Sequence, residues 1–168
     1  MAEEIKYRPK LKVTWTFWDF LLESISLILI VFLWYFVISN YKELPEKIAH
    51  HFDLQGNPDQ WGNKKIIWLM PFLASMLWIG LSAISLIPHT FNYPVKITEE
   101  NVKYQYTLSL RFFRIVKALV MLVFILGVYS MKMSSTEINY SSNFDIFVLL
   151  GGLALTFIVY FYLANRNK

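Results

Sequence analysis

The sequence predicts an all-α integral membrane protein: four transmembrane helices, with a small extracytoplasmic hairpin-like cap between helices 1 and 2. Three observations carry that prediction. Hydrophobic residues fill 56% of the 168 positions and charged ones only 17%, with a mean hydropathy of +0.42, whereas a soluble domain carries about 25% charge. Such a chain has more apolar surface than a globule of its size can bury, and lipid is the natural solvent for the excess. Four apolar runs approach the ~20 helical residues needed to cross a hydrocarbon core of ~30 Å. Between the first two lies residues 44–64, a stretch dense in turn formers, ionisable groups and aromatics.

The chain reads as a single membrane domain, 1–168. Residues 1–16 form an N-terminal segment whose first dozen residues are expected to be mobile. Helix 1, over 17–39, rests on the uncharged run 24–41, extended inward by Trp18-Asp-Phe-Leu-Leu-Glu23. An outer loop covers 40–65. Helix 2, over 66–88, has Pro71 in its first turn, where proline is tolerated, and Pro88 at its end. The connection 89–109, with Pro94 and a Glu99-Glu100-Asn101 turn, is expected to hold a short interfacial helix or strand. Helix 3, over 110–131, is the shortest in uncharged length, 118–131. It becomes adequate when the long side chains of Arg111, Arg114 and Lys117 snorkel to the headgroups. A second outer loop, 132–144, leads to helix 4, over 145–165, and a tail, 166–168. Trp15, Trp18, Trp34, Tyr35, Trp61, Trp68 and Tyr162 fall near the predicted helix ends, as an interfacial aromatic belt requires. Gly80, Gly127, Gly151 and Gly152 suit close helix packing better than unwinding.

Charge sets the expected orientation. Lys6, Arg8, Lys10, Lys12, Lys96, Lys103, Arg111, Arg114, Lys117, Arg166 and Lys168 share one side, eleven of the sixteen basic residues. Lys42, Lys47, Lys64, Lys65 and Lys132 are left for the other. The positive-inside rule then makes both termini cytoplasmic and turns 44–64 outward. No small-x-small cleavage site follows the first run, so it is expected to remain as an anchor.

Several function classes are disfavoured. The net charge of +4 is spread over loops and helix ends without a basic, aromatic-laced face, so nucleic acid is not an expected partner. The chain has no cysteine, which removes disulfides and thiolate metal sites. It has no Gly-x-Ser-x-Gly, His-Glu-x-x-His, phosphate loop or dinucleotide fingerprint, so no catalytic residue, cofactor or enzymatic activity is expected. His50 and His51 with Asp53 and Asp59 resemble a metal set only superficially, because adjacent residues of a strand point to opposite faces. No metal is expected, and His51 is assigned to hold the loop together. The Asn139-Tyr-Ser141 sequon matters only in a eukaryotic secretory pathway.

Within the outer loop, Ile48, His50, Phe52 and Leu54 alternate with Ala49, His51 and Asp53, the period of a short strand. Gln55-Gly-Asn-Pro-Asp59 is a turn signal, and Pro45 marks the exit from helix 1. Trp61 is expected to fold back over Phe52 or to lie at headgroup level. Leu44, Pro45, Ile48, His51, Phe52, Gly56, Pro58, Asp59, Trp61 and Lys64 stand at fixed spacing that closely resembles the signature of the SdpI-like membrane proteins, labelled "domain of unknown function 1648". The connection from Phe91 through Tyr106 and Arg111 is also similar to short bacterial members. Ala49 replaces a usual proline and Asp53 a usual asparagine. The best-known members protect bacteria from a secreted toxic peptide, and they have more helices than this chain. The resemblance therefore implies a bacterial cytoplasmic-membrane protein, a short four-helix member, with immunity to or sensing of an antimicrobial peptide. Phe52, Asp59 and Trp61 would shape the cap, and Glu46, Asp53 and Asp59 would draw in a cationic peptide.

Asp19 and Glu23 lie four apart and share one face of helix 1. Glu23 sits about a turn inside the apolar region, where an unpaired charge costs several kcal/mol. An intramembrane ion pair of Glu23 with Arg114 or Lys117 is the expected remedy, and a transport or gating role the alternative. Transporters place polar groups near the midplane at broken helices, whereas the middles of helices 1, 3 and 4 are aliphatic and aromatic. The competing function remains a small transporter or envelope-integrity protein with a structural loop.

Overall fold

The computed structural model describes residues 8–136 and 143–168. Helix α1 (Phe17–Asn40) leads into a two-stranded antiparallel hairpin, β1 (Lys47–Phe52) and β2 (Pro58–Asn63). A 3-10 turn, Lys64–Trp68, feeds α2 (Leu69–Ile84). After a second 3-10 turn at Pro88–Thr90 come α3 (Val102–Thr136) and α4 (Asn143–Arg166). All four helical segments are long and apolar enough to cross a membrane. They alternate in direction, with α3 at the centre against α1, α2 and α4, while α4 packs chiefly on α3.

One stripe explains the central packing. The buried residues of α1 are Asp19, Ser26, Ile30, Leu33 and Val37, and with Glu23 they recur every three or four positions. Leu110, Arg114, Lys117, Met121, Val128 and Met131 form the matching stripe on α3. The helices run parallel, so both stripes pass from charged at one end to apolar at the other. In lipid, apolar contact between helices gains little, and interhelical hydrogen bonds supply part of the grip. Trp34 donates through Nε1 to Ser75 Oγ at 3.0 Å and Trp78 to Ser26 Oγ at 3.2 Å, stapling α1 to α2 at two levels. Trp34 is thus a packing residue rather than a belt residue.

Four expectations are revised. Helix 3 begins at Val102, not 110, and ends at Thr136, not 131. The start is set by a reciprocal cap: Thr98 N donates to Asn101 Oδ1 at 3.0 Å, and Asn101 N to Thr98 Oγ1 at 3.3 Å. Helix 2 ends at Ile84, short of 88, because Pro88 has no N–H to continue the ladder and keeps Ile87 out of helical geometry (φ −123°, ψ 53°). The N-terminal segment is anchored from Arg8 onward: Arg8 Nη1 donates to Phe91 O at 2.6 Å, Tyr106 donates to Pro9 O at 3.2 Å, and Val13 packs on Ile97, Val102 and Tyr106. Finally, a Cβ at Gly80, Gly127 or Gly151 would meet nothing within 4 Å, so these glycines do not serve close packing; only at Gly152 does a neighbour, Leu119, approach to 3.6 Å. The sequon and residues 137–142 of the loop 132–144 lie outside the described residues, as does Lys6, and the ends of that loop belong to α3 and α4.

Candidate functional site

Two polar assemblies sit at opposite ends of the bundle. The first is the hairpin. Ile48 and Ala49 are both fully buried, and Ile48 joins Leu44, Val37, Ile67 and Met131 over the helix ends. Burying a side chain such as Ile48 is worth about 1.5–3 kcal/mol. The strand does not alternate simply. Ile48 and Ala49 are adjacent and both buried, and register shifts on both sides of His51 mark bulges that leave His50 without a cross-strand partner. The His50 ring lies over Gly62, where an added Cβ would come within 2.9 Å of it.

The turn is closed by Asp53. Its Oδ1 accepts from Gln55 N at 2.9 Å and Asn57 N at 2.8 Å, and its own N–H donates to Asn57 O at 2.9 Å. Hydrogen bonds from the Asn57 backbone, foremost, and from Asn57's side chain and Gln55 hold the Asp53 carboxyl below the usual carboxylate range. Gly56 supplies the positive φ of 77° that the turn demands. Asp59 accepts from or pairs with His51 at 2.6 Å, across the strands. Lys64 donates to Leu44 O at 3.2 Å, pairs with Glu46 at 3.1 Å and lies 5.4 Å from the Tyr41 ring centre. It thereby ties the end of β2 to the exit from α1 just before Pro45. The structure thus brings Leu44, Ile48, His51, Phe52, Gly56, Pro58, Asp59 and Lys64 into one folded unit.

Trp61 is different. It is half exposed and makes no ring contact with Phe52 among the described residues. Leu54, at the tip, is 93% exposed. The three carboxylates expected to draw in a cationic peptide are each engaged within the hairpin itself. A further link escaped the sequence: Ser135, on the last turn of α3, accepts from Ala49 N at 3.0 Å while donating to Met131 O. Beside it, Lys132 donates to Asn40 Oδ1.

The second assembly lies at the opposite end, between α1, α2 and α3. Glu23 pairs with Lys117 and lies 3.7 Å from Arg114 Nε. Lys117 also donates to Ser82 Oγ at 2.9 Å and sits 4.7 Å from the Trp78 ring centre. The structure adds two partners that the pair lacked on paper. Asp19 is the hub: Oδ1 accepts from Arg114 Nη1 at 2.9 Å and Arg111 Nε at 3.1 Å, and Oδ2 accepts from the Thr16 N–H at 2.8 Å and hydroxyl at 2.7 Å. Trp15 covers the network, with the Arg114 guanidinium 4.6 Å from its ring centre. Each buried ion costs several kcal/mol to desolvate, and the mutual hydrogen bonds offset that cost. A signal for Asp19 existed: Thr16-Phe-Trp-Asp19 has the spacing of a helix cap.

A mixed cavity of about 470 Å³ opens beside this network, lined by Glu23, Ser82, Ser85, Arg114 and Lys117, together with residues of the N-terminal segment. Among the described residues, no group of three or more His, Cys, Asp or Glu is placed to hold a metal.

Residues 27–74 match the model of a family described as Domain of unknown function (DUF1648). The matched segment covers most of α1, the whole hairpin and the start of α2, and it stops short of Asp19, Glu23 and all of α3. No curated protein and no solved structure matches the chain.

Proposed function

From the family match and the hairpin geometry, we propose that this chain is a non-catalytic recognition protein of a bacterial cytoplasmic membrane. Its termini face the cytoplasm, and its hairpin faces outward to meet a membrane-active peptide. The resemblance to SdpI-like proteins supports immunity to, or sensing of, such a toxin. The observation that carries the reading is the division of labour within the hairpin. Its polar signature residues are engaged in its own fold, while Leu54 and Trp61 stay exposed on a rigid support. A pre-ordered apolar tip loses little entropy when it meets a partner. His51, Asp59 and Lys64 then serve to hold that tip, and the ligand contact falls to Leu54 and Trp61.

The second reading, a small transporter or envelope-integrity protein with a structural hairpin, is favoured by the same self-satisfied carboxylates. Expression in a toxin-sensitive host, challenged with secreted peptides, separates the two. Protection is expected from the wild type and should be lost in Leu54→Ser and Trp61→Ala at unchanged membrane abundance. Full protection in both variants would remove the tip from recognition. No protection from any peptide, together with solute flux in vesicles, would favour transport.

A further inference from the structure

The mixed cavity beside the charged network does something the hairpin reading does not require. Its charge is unbalanced. Lys12, Arg114 and Lys117 line it with a single carboxylate, Glu23, and that carboxylate is taken by Lys117. Arg114 uses Nη1 on Asp19 and Nε toward Glu23, which leaves Nη2 without a partner among the described residues. Lys12 is exposed and makes no ion pair or hydrogen bond among the described residues. Ser85 donates to Leu81 O at 2.8 Å and keeps its oxygen lone pairs for another donor, or turns its hydroxyl to an incoming acceptor. Unspent cationic donors around a cavity of about 470 Å³ select an anion with several oxygens.

The rest of the lining narrows the class. Leu11, Trp15 and Leu86 form part of the same wall, and each is exposed, Leu86 to 80%. A free phosphate has no use for such a wall. An amphiphile does, because its glycerol and first acyl carbons continue from the phosphate onto apolar surface. The cavity lies where helix ends meet the headgroup layer, on the side to which the basic residues assign the cytoplasm. That leaflet carries anionic lipid, and basic pockets between helices there hold anionic headgroups.

We propose that this cavity is a headgroup site for an anionic phospholipid: the phosphate takes Lys12, Arg114 Nη2 and Ser85, and the glycerol and upper chains lie on Leu11, Trp15 and Leu86. The site belongs to this chain's own residues and lies outside the matched segment 27–74.

The test uses the full chain in non-ionic detergent, with bound lipid counted by native mass spectrometry and thermal stability followed in parallel. Phosphatidylglycerol should bind and raise Tm, phosphatidylcholine should do neither, and inorganic phosphate should not displace the bound lipid. Lys12→Gln, at an exposed position that the fold does not use, should keep the lipid-free Tm and bind phosphatidylglycerol about fivefold more weakly, as expected for one basic group near an anionic surface. Equal effects of the two lipids would overturn the proposal, as would wild-type affinity in Lys12→Gln. Stabilisation by inorganic phosphate alone would assign the cavity to a soluble phosphate compound and overturn the lipid source.

Discussion

Asp19 shows how one residue can close a helix and anchor another. It accepts from the Thr16 backbone at the start of α1 and from two arginines of α3. Its spacing from Glu23 marked the inward face of α1 in the sequence. Its rank within that face was not legible: depth in the apolar run singles out Glu23, yet the Glu23 side chain is 25% exposed and Asp19 about 1%. The reason lies in the segment before the helix. An acid in a first helical turn normally meets water, but here Trp15 and Thr16 fold over it. Removing one partner from a buried ion cluster leaves uncompensated charge and costs about 3–5 kcal/mol. Asp19→Ala should therefore lower resistance to denaturing detergent by an amount of that order, measured by a titration with sodium dodecyl sulfate. A loss below about 1 kcal/mol would mean that Arg111 and Arg114 find water instead.

At the scale of elements, α3 was the helix least visible in the sequence and is the one that organises the rest. Its uncharged run is short, so hydropathy placed its start too late. The missing signal was chemical, the Thr98-Glu-Glu-Asn101 cap, and the charged turns that follow are held by protein rather than by snorkelling alone. Gln105 donates to Ala164 O at 3.0 Å and Asn167 O at 2.9 Å, and Tyr106 stacks on Tyr93 with ring centres 5.6 Å apart. The far end of α3 holds the hairpin through Ser135. Ser135→Ala leaves the buried Ala49 N–H without its acceptor, a cost of about 1–3 kcal/mol. Hydrogen exchange should accelerate at the β1 amides while the middles of α1 and α3 keep their protection. Equal acceleration throughout would show that the hairpin and bundle open as one unit.

For the whole molecule, the number of spans and the place of the hairpin were legible, because length, hydropathy and turn chemistry are local. The inward faces were not. Ile28 and Ile30 are the same residue two positions apart, yet one is 64% exposed and the other 8%. Lipid and protein interior select the same side chains, so hydropathy cannot separate them. Only the polar marks on the stripe, Asp19, Glu23 and Ser26, point inward. The orientation proposed from the charge bias is open to a direct check, since the chain has no cysteine of its own. Leu54→Cys should react with an impermeant maleimide on intact cells, and Lys168→Cys only after permeabilisation; the opposite pattern would invert the topology. Such a layout also makes α3 a lever. Arg114 and Ser135 are 21 residues apart, about 32 Å along a straight helix, so a tilt of about 5° shifts one end relative to the other by about 3 Å. That is enough to break a hydrogen bond. A displacement of that size at the hairpin end of α3 would change the angle among the charged groups at its other end, with no part of the chain having to unfold.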